Sequence, residues 1–457
     1  MTPAARLSAA IEVIADIETR RRPASDALKD WGLSHRFAGS GDRAAIAGLV
    51  FDTLRRRASS AHIMGEQSSR ALALGMLRLE RGLGSEAIAA LASGARFAPA
   101  PLTAEEQSRL AAADLRDAPA WIAGDYPQWL DAHFARAFGE NRAAEGAALA
   151  ARAPLDLRVN TLKGSLEDAI SALTDLDPVP ARWSPFGLRI ARTAEAKSPA
   201  IGAEPAFIKG RVEVQDEGSQ LASLLAAAKP GEQVIDLCAG AGGKTLALAA
   251  MMNNRGQIYA TDLDKRRLAP IHSRLERSGV HNVQVRTPKS TENLLADLEN
   301  HADLVLVDAP CTGIGTWRRN PDAKWRVRPG ALELRMREQA DLLDRAATLP
   351  KPGGRIAYVT CSLLREENDD QVRAFLARHP QFAPTAPARV MEALGERAVI
   401  FQRAVQLSPE GLLMTPRQTD TDGFYVSVLL RVSPGGSGAG IDLGGRRTLT
   451  RHGAGRT

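Results

Sequence analysis

Cysteine is scarce: three in 457 residues, at 238, 311 and 361, too few for a disulfide framework and too few thiolates for a cysteine-based zinc site. Each of the three needs its own explanation. No stretch reaches the ~18 uninterrupted apolar residues that a membrane helix needs. The opening MTPAARLSAAIEVIADIETRRR carries acids inside its apolar part, unlike a signal peptide, so the expected address is the cytoplasm, with no membrane partner. The histidines have no HExxH-type spacing; His272, His281 and His301 read as surface residues, and no metal is expected. There is no internal repeat. What is present, 44% hydrophobic and 25% charged residues, is the composition of an ordinary globular protein of two or three domains. Lysine and arginine exceed the acids by 59 to 53, for a net charge of +6 and a pI near 9.4. This permits a polyanionic partner without proving one, so the clustering of charge carries more than its total.

Residues 1–150 are rich in alanine, leucine and arginine, with apolar positions at helical spacing: Leu7, Ile11 and Ile14, then Ile46, Leu49, Val50 and Leu54. They predict an all-helical domain, punctuated at Arg22-Pro23, Gly39-Ser40-Gly41 and Ala98-Pro99-Ala100-Pro101. Residues 151–212 change character. LDLRVNTLKG and FGLRIAR read as strands around a proline-rich stretch, a small α+β segment. Over residues 213–432, after the helical VQDEGSQLASLLAAA, short apolar runs alternate with helical stretches. QVIDL, QIYATDL, NVQVR, ADLVLVDAP and RIAYVTCSL, followed by VSVLL, predict an α/β domain with a mostly parallel sheet covered on both faces. Residues 433–457 form a glycine-rich basic tail, expected to be disordered.

QVIDL runs straight into CAGAGGKT and a helix, so a glycine turn delivers backbone N–H groups at a helix start, suited to an anionic or polar ligand. Asp262, at the end of the next strand, stands where a carboxylate takes ribose hydroxyls. A P-loop NTPase is the rival reading, from Gly243-Lys244-Thr245 and the aspartate of ADLVLVDAP. It requires a glycine five positions before Gly243, where this chain has Cys238. Cys311 and Cys361 both fall at carboxyl ends of expected strands, where open α/β sheets place their crevice. Asp308 precedes Cys311 by three residues, so one turn could present a carboxylate and a thiol together.

DLCAGAGGKT, TDLDKRRL, DAPCTG, RRNPDAKW, TCS and DGFY, in this order, together with RVNTLK and VQDEGSQL upstream, resemble the successive motifs of the Nop/Sun (Fmu) type RNA cytosine-C5 methyltransferases. The N-terminal part, GDRAAIAGLVFDTLRRR above all, is similar to the NusB-like helical domain of the bacterial ribosomal-RNA members. The resemblance implies a Rossmann-like class I methyltransferase domain that uses S-adenosylmethionine. The donor would be held by the backbone of Cys238, Ala239, Gly240, Ala241, Gly242, Gly243 and Lys244, with Asp262 on its ribose and Asp308 beside it. It further implies that Cys361 adds to C6 of cytosine, that Cys311 assists removal of the C5 proton, that Asp308 holds or protonates N3, and that Lys324 lies beside the base. The DNA cytosine methyltransferase pattern, in which a Pro-Cys motif attacks, leaves Cys311 open as the nucleophile instead.

From Arg318 to Arg328 stand Arg318, Arg319, Lys324, Arg326 and Arg328 against one acid, Asp322, with Trp317 and Trp325 interleaved, a composition that suits single-stranded RNA. Arg20 to Arg22 and Arg55 to Arg57 are weaker clusters. The chain departs from the family pattern after the third sheet strand. Where most members place an aspartate for the adenine amino group, it has Pro288, Lys289 and Ser290. The expected partner is RNA, ribosomal RNA or a ribosomal subunit precursor, and the expected state a monomer. The alternative from another class is a non-catalytic RNA-binding or assembly factor that keeps the fold.

Overall fold

The alanine- and leucine-rich stretches of residues 1–150 form helices and, among the described residues, no strand. In this computed structural model the described residues are 1–191, 199–288 and 294–432. The first long helix, Pro3–Arg20, starts on a Thr2 hydroxyl that accepts from Ala5 N (3.1 Å) with proline at its first position. Helices Ala24–Ser34 and Ser40–Arg55 follow the two punctuation marks seen in the sequence. Leu7, Ile14, Ile46, Val50 and Leu54 are buried in the core of this bundle, while Ile11 and Leu49 pack at its edge.

The small segment is an antiparallel sheet of β1 (Leu155–Val159), β2 (Val179–Pro180), β3 (Gly187–Ile190) and β4 (Val212–Val214), in the order β2-β3-β1-β4. Next come β5 (Gln233–Asp236), β6 (Gln257–Ala260), β7 (Val283–Val285), β8 (Ala302–Asp308), β9 (Pro350–Thr360), β10 (Phe382–Pro384), β11 (Gln406–Leu407), β12 (Leu412–Met414) and β13 (Phe424–Arg431). They form one sheet ordered β11-β12-β13-β9-β8-β5-β6-β7, with β10 on β13. β5 to β9 are parallel, as the apolar runs predict, and β13 returns antiparallel to β9. β10, β11 and β12 were not expected; at two or three residues each, they are too short to show a period. β5 lies between β6 and β8, so the strand order reverses there and opens a crevice at the carboxyl ends of β5 and β8. The tail from 433 lies outside the described residues.

The helices of residues 1–150 meet the parallel-sheet region at a short helix, Ala323–Arg326, which together with Asp322 just before it completes two helix ends. Asp322 Oδ2 accepts from Ala24 N (3.2 Å) at the start of Ala24–Ser34. At the end of Ser40–Arg55, the Trp325 indole donates to Leu54 O (2.6 Å) and the Lys324 ammonium to Arg55 O (3.1 Å). A carboxylate at a helix start and a cation at a helix end both answer unpaired main-chain groups and the helix dipole. This corrects the expectation for Lys324: its side chain is only 1% exposed and its amine is spent between the two domains. Around it lie Asp125, Arg55 and Arg56. Asp125 itself accepts from Ser59 N (2.9 Å) and Ser59 Oγ (2.7 Å), with Arg56 at 3.6 Å.

Burial lowers Lys324 to about 7, the attraction of Asp125 offsetting only part of the cost. The unfolded lysine holds its proton to about pH 10.4, so between pH 7 and that value the unfolded state binds more protons and this group makes folding more favourable as pH rises. Denaturant unfolding should therefore show the stability of wild type relative to Lys324→Met growing from pH 7 to pH 10, by up to about 4 kcal/mol. A difference that stays flat would refute the buried, neutralisable amine.

Candidate active site

β5 ends at Asp236, and the turn after it is shaped by glycine. Gly240 and Gly242 have φ of +49° and +85°. A Cβ on Gly242 would also stand 2.6 Å from Ile271 Cγ1, so this position admits only glycine. Leu246 N is bonded to Gly242 O (2.9 Å), which leaves the amides of Gly243 and Lys244 as open donors at the start of helix Gly243–Met251. A Cβ on Gly243 would meet only Gln215 Nε2, at 4.0 Å, so the space above this helix start is free. Asp262, 3% exposed, ties the turn to β6: Oδ2 accepts from Gly240 N (3.0 Å) and Oδ1 from Asp264 N (2.9 Å). Each oxygen keeps a lone pair for a further donor.

Asp236 was read in the sequence only as a strand residue, yet its Oδ1 is buried with no partner while Oδ2 accepts from Thr245 Oγ1 (2.7 Å). Burial lifts it to about 7, with the nearby Asp308 charge adding to the rise and the Thr245 hydroxyl opposing it. Cys238 turns into the same interior, and burial pushes its thiol up. A glycine cradle, open helix amides, a buried carboxylate with lone pairs to spare and an orphaned carboxylate oxygen fit a ligand that offers hydroxyl and amino donors, as a nucleoside with an amino group does. The adenine-side residues Lys289 and Ser290 lie outside the described residues, and only Pro288, half-buried after β7, is described.

Asp308 pairs with Val359 across β8 and β9, and the two chains leave the sheet side by side. Cys311 Sγ and Cys361 Sγ thereby come within 3.3 Å. Their loops are locked by Glu367, which is fully buried. It accepts from Thr312 N (2.8 Å), Thr312 Oγ1 (2.5 Å), the Ser362 hydroxyl and Gln339 Nε2 (3.0 Å). Gly315 N donates to Cys361 O, and Gly423 N to Gly315 O, both at 2.9 Å. A Cβ on Gly315 would lie 2.2 Å from Gly423 O. The loop just after DAPCTG therefore meets the TCS and DGFY motifs backbone to backbone.

The Lys244 ammonium donates to Asp308 Oδ2 at 2.7 Å and lies 5.1 Å from the Phe424 ring centroid. Burial works against its charge, but Asp308, Cys361 and Asp236 hold the proton on, Asp308 most strongly. Lys244, expected only as a backbone contact to the cofactor, is thus the lysine beside the cysteines, and Lys324 is not. The hydrogen bond to Cys361, with burial, raises the Cys311 thiol well above its usual range.

The basic run is corrected as well. Arg318, 2% exposed, binds Asp422 (2.7 Å) and Asp420 (3.1 Å), and Arg319 binds Asp422 and Asp216 (both 2.7 Å). These two arginines fasten the VQDEGSQL and DGFY motifs together and do not present free charge. Arg326, which pairs with Asp322, and Arg328 are exposed. Glu367 was missed in the sequence, where nothing separates it from its neighbour Glu366.

A sequence profile described as 16S rRNA methyltransferase RsmB/F matches residues 223–430, and one for an RsmF/B-like ferredoxin-like domain matches residues 126–196. The chain is 34% identical over 284 residues to ribosomal RNA small subunit methyltransferase F of Cronobacter sakazakii, covering 61% of this chain and 57% of that protein. It is 31% identical over 326 residues to ribosomal RNA small subunit methyltransferase B of Pseudomonas syringae pv. tomato, covering 68% of each. The match thus spans little more than half the length of the Cronobacter protein. A solved methyltransferase homolog from Pyrococcus horikoshii superposes with a TM-score of 0.56 at 27% identity, covering 68% of this chain and 98% of that one.

Iodoacetamide at pH 8 should alkylate Cys361 faster than Cys311, by about tenfold or more, because only thiolates react. Peptide mass mapping over time reads both rates, and equal rates would contradict the assignment.

Proposed function

Since the chain belongs to the RsmB/F family of 16S rRNA methyltransferases, we propose that it makes 5-methylcytosine in ribosomal RNA, using S-adenosylmethionine and a covalent cysteine adduct. The observation that carries this reading is the 3.3 Å approach of Cys311 and Cys361 beside the Lys244–Asp308 pair. The protein acts as a cytoplasmic monomer on ribosomal RNA or a subunit precursor; no described helix is long and apolar enough to cross a membrane.

The amides of the Cys238–Lys244 turn, Asp262 and the unpaired oxygen of Asp236 would hold S-adenosylmethionine, which supplies an electrophilic methyl group on a sulfonium sulfur. C5 of cytosine is a poor nucleophile. Cys361 Sγ, as thiolate, forms a bond to C6, and the electron pair displaced from the ring double bond makes C5 nucleophilic. The negative charge that this addition puts on the ring is met at N3 by a proton held between Asp308 and the Lys244 ammonium, and it returns to that pair when the ring double bond re-forms. After C5 is methylated, Cys311, having passed its own proton to solvent, receives the C5 proton as a thiolate. The electron pair left behind re-forms the C5–C6 double bond as the Sγ–C6 bond breaks. The high proton affinity that keeps the Cys311 thiol neutral at rest suits a group that must collect a proton. In the alternative, Cys311 attacks and Cys361 assists.

Labelled S-adenosylmethionine with undermethylated cellular RNA, followed by nucleoside mass analysis, tests the reaction. Wild type should yield labelled 5-methylcytosine, and Cys361→Ala none. Cys311→Ala should accumulate an RNA adduct that runs as a shifted band in denaturing gels. An adduct in Cys361→Ala instead would exchange the two roles, and no label from free RNA or subunits would overturn the proposal. Lys244→Met, which leaves Asp308 without its counter-charge, should lower the methylation rate by about 10²-fold.

A further inference from the structure

Two adjoining cavities lie at the seam between the helical domain and Ala323–Arg326, about 580 and 500 Å³ in volume. Arg57 and Trp325 line both and form the wall between them. The Arg57 guanidinium lies 5.1 Å from the Trp325 ring centroid and is steadied by two bonds to Glu18 (3.0 and 2.8 Å). The larger cavity is walled by Trp121 and Trp129, both partly exposed. The smaller holds Arg21, Arg22, Arg57, Arg326 and Arg328 against Glu18 and Asp322, so positive charge dominates it. Arg21 and Arg328 make no ion pair among the described residues and are exposed. Three basic stretches far apart in sequence, around residues 21, 57 and 327, thus converge on one groove.

Aromatic faces beside unpaired guanidinium groups take unstacked bases and phosphates together. A protein partner would call for a larger apolar face and a duplex for a smooth basic one. Packing links the groove to the loops of the reaction centre. Trp121 and Trp129 pack on the apolar cluster that contains Ile314 and Trp317, just after Cys311, and Leu363 and Leu364, just after Cys361.

We propose that this groove binds a single-stranded RNA segment flanking the target cytosine, bases against Trp121 and Trp129 and phosphates on Arg21 and Arg328. The assignment rests on the RNA methyltransferase reading and adds to it where the substrate strand runs.

The test uses the full chain with fluorescein-labelled single-stranded oligouridylate and a duplex RNA of equal length, in anisotropy titrations at several salt concentrations. Trp121→Ala/Trp129→Ala should weaken binding of the single strand by about tenfold or more and leave the duplex unaffected. Arg21→Gln/Arg328→Gln, both at exposed positions, should reduce the slope of log affinity against log salt by about 1.4, two phosphates' worth. Calorimetric S-adenosylmethionine binding, unchanged in both variants, certifies the fold. Single-strand affinity and salt slope unchanged in both variants would overturn the groove, as would an equal loss of binding to a polyglutamate peptide, which would mark a general polyanion or protein surface. A failed methyltransferase reading shows separately: wild type then forms no 5-methylcytosine whatever the titrations give.

Discussion

Two loops that leave neighbouring parallel strands are kept at one point by a single buried carboxylate. β8 and β9 bring the chain to the rim of the sheet, but a parallel pair does not dictate where its exits go next. Glu367 does, by taking an amide and a hydroxyl from Thr312 and a hydroxyl from Ser362, the residues that follow the two cysteines. A carboxylate shut away from water is tolerable only when donors surround it, and here Gln339 completes the set. The same constraint explains the glycines that follow. Gly315 and Gly423 approach too closely for any side chain, because the loops must lie against each other to hold the thiols together.

Much of this was legible in the sequence. The five parallel strands, the glycine turn with Asp262, and the two cysteines at strand ends follow from apolar runs and from punctuation, which are local signals. The helices before residue 150 follow equally from their apolar period. Partner choice was not legible. Lys244 and Lys324 both sit in recognisable motifs, but only the fold shows that the first meets Asp308 while the second meets a helix carbonyl. Asp236 and Glu367 were hidden for the same reason: an acid at a strand end or in a helix start looks alike whether it faces solvent or closes a site.

The arginine-rich run near residue 320 shows how density of charge along the chain differs from charge on a surface. Arg318 and Arg319 meet Asp216 and Asp422, residues about 100 positions away on either side, and the result is a fastening inside the domain. Their neighbours Arg326 and Arg328 point outward, because a turn of helix separates them. Opposite uses of one short stretch arise from its crossing the boundary between interior and seam.

The seam itself is built in part on main-chain groups. The hydrogen bonds of Asp322, Lys324 and Trp325 reach an amide and two carbonyls at helix ends, beside the side-chain contacts of Trp325 with Arg57 and of Lys324 with Asp125. Main-chain atoms are the same in every sequence. At these points the catalytic domain therefore recognises where one helix begins and another ends, the geometry of a fold, and side-chain pairs such as Arg136 with Asp370 and His133 with Glu366 add composition to it elsewhere.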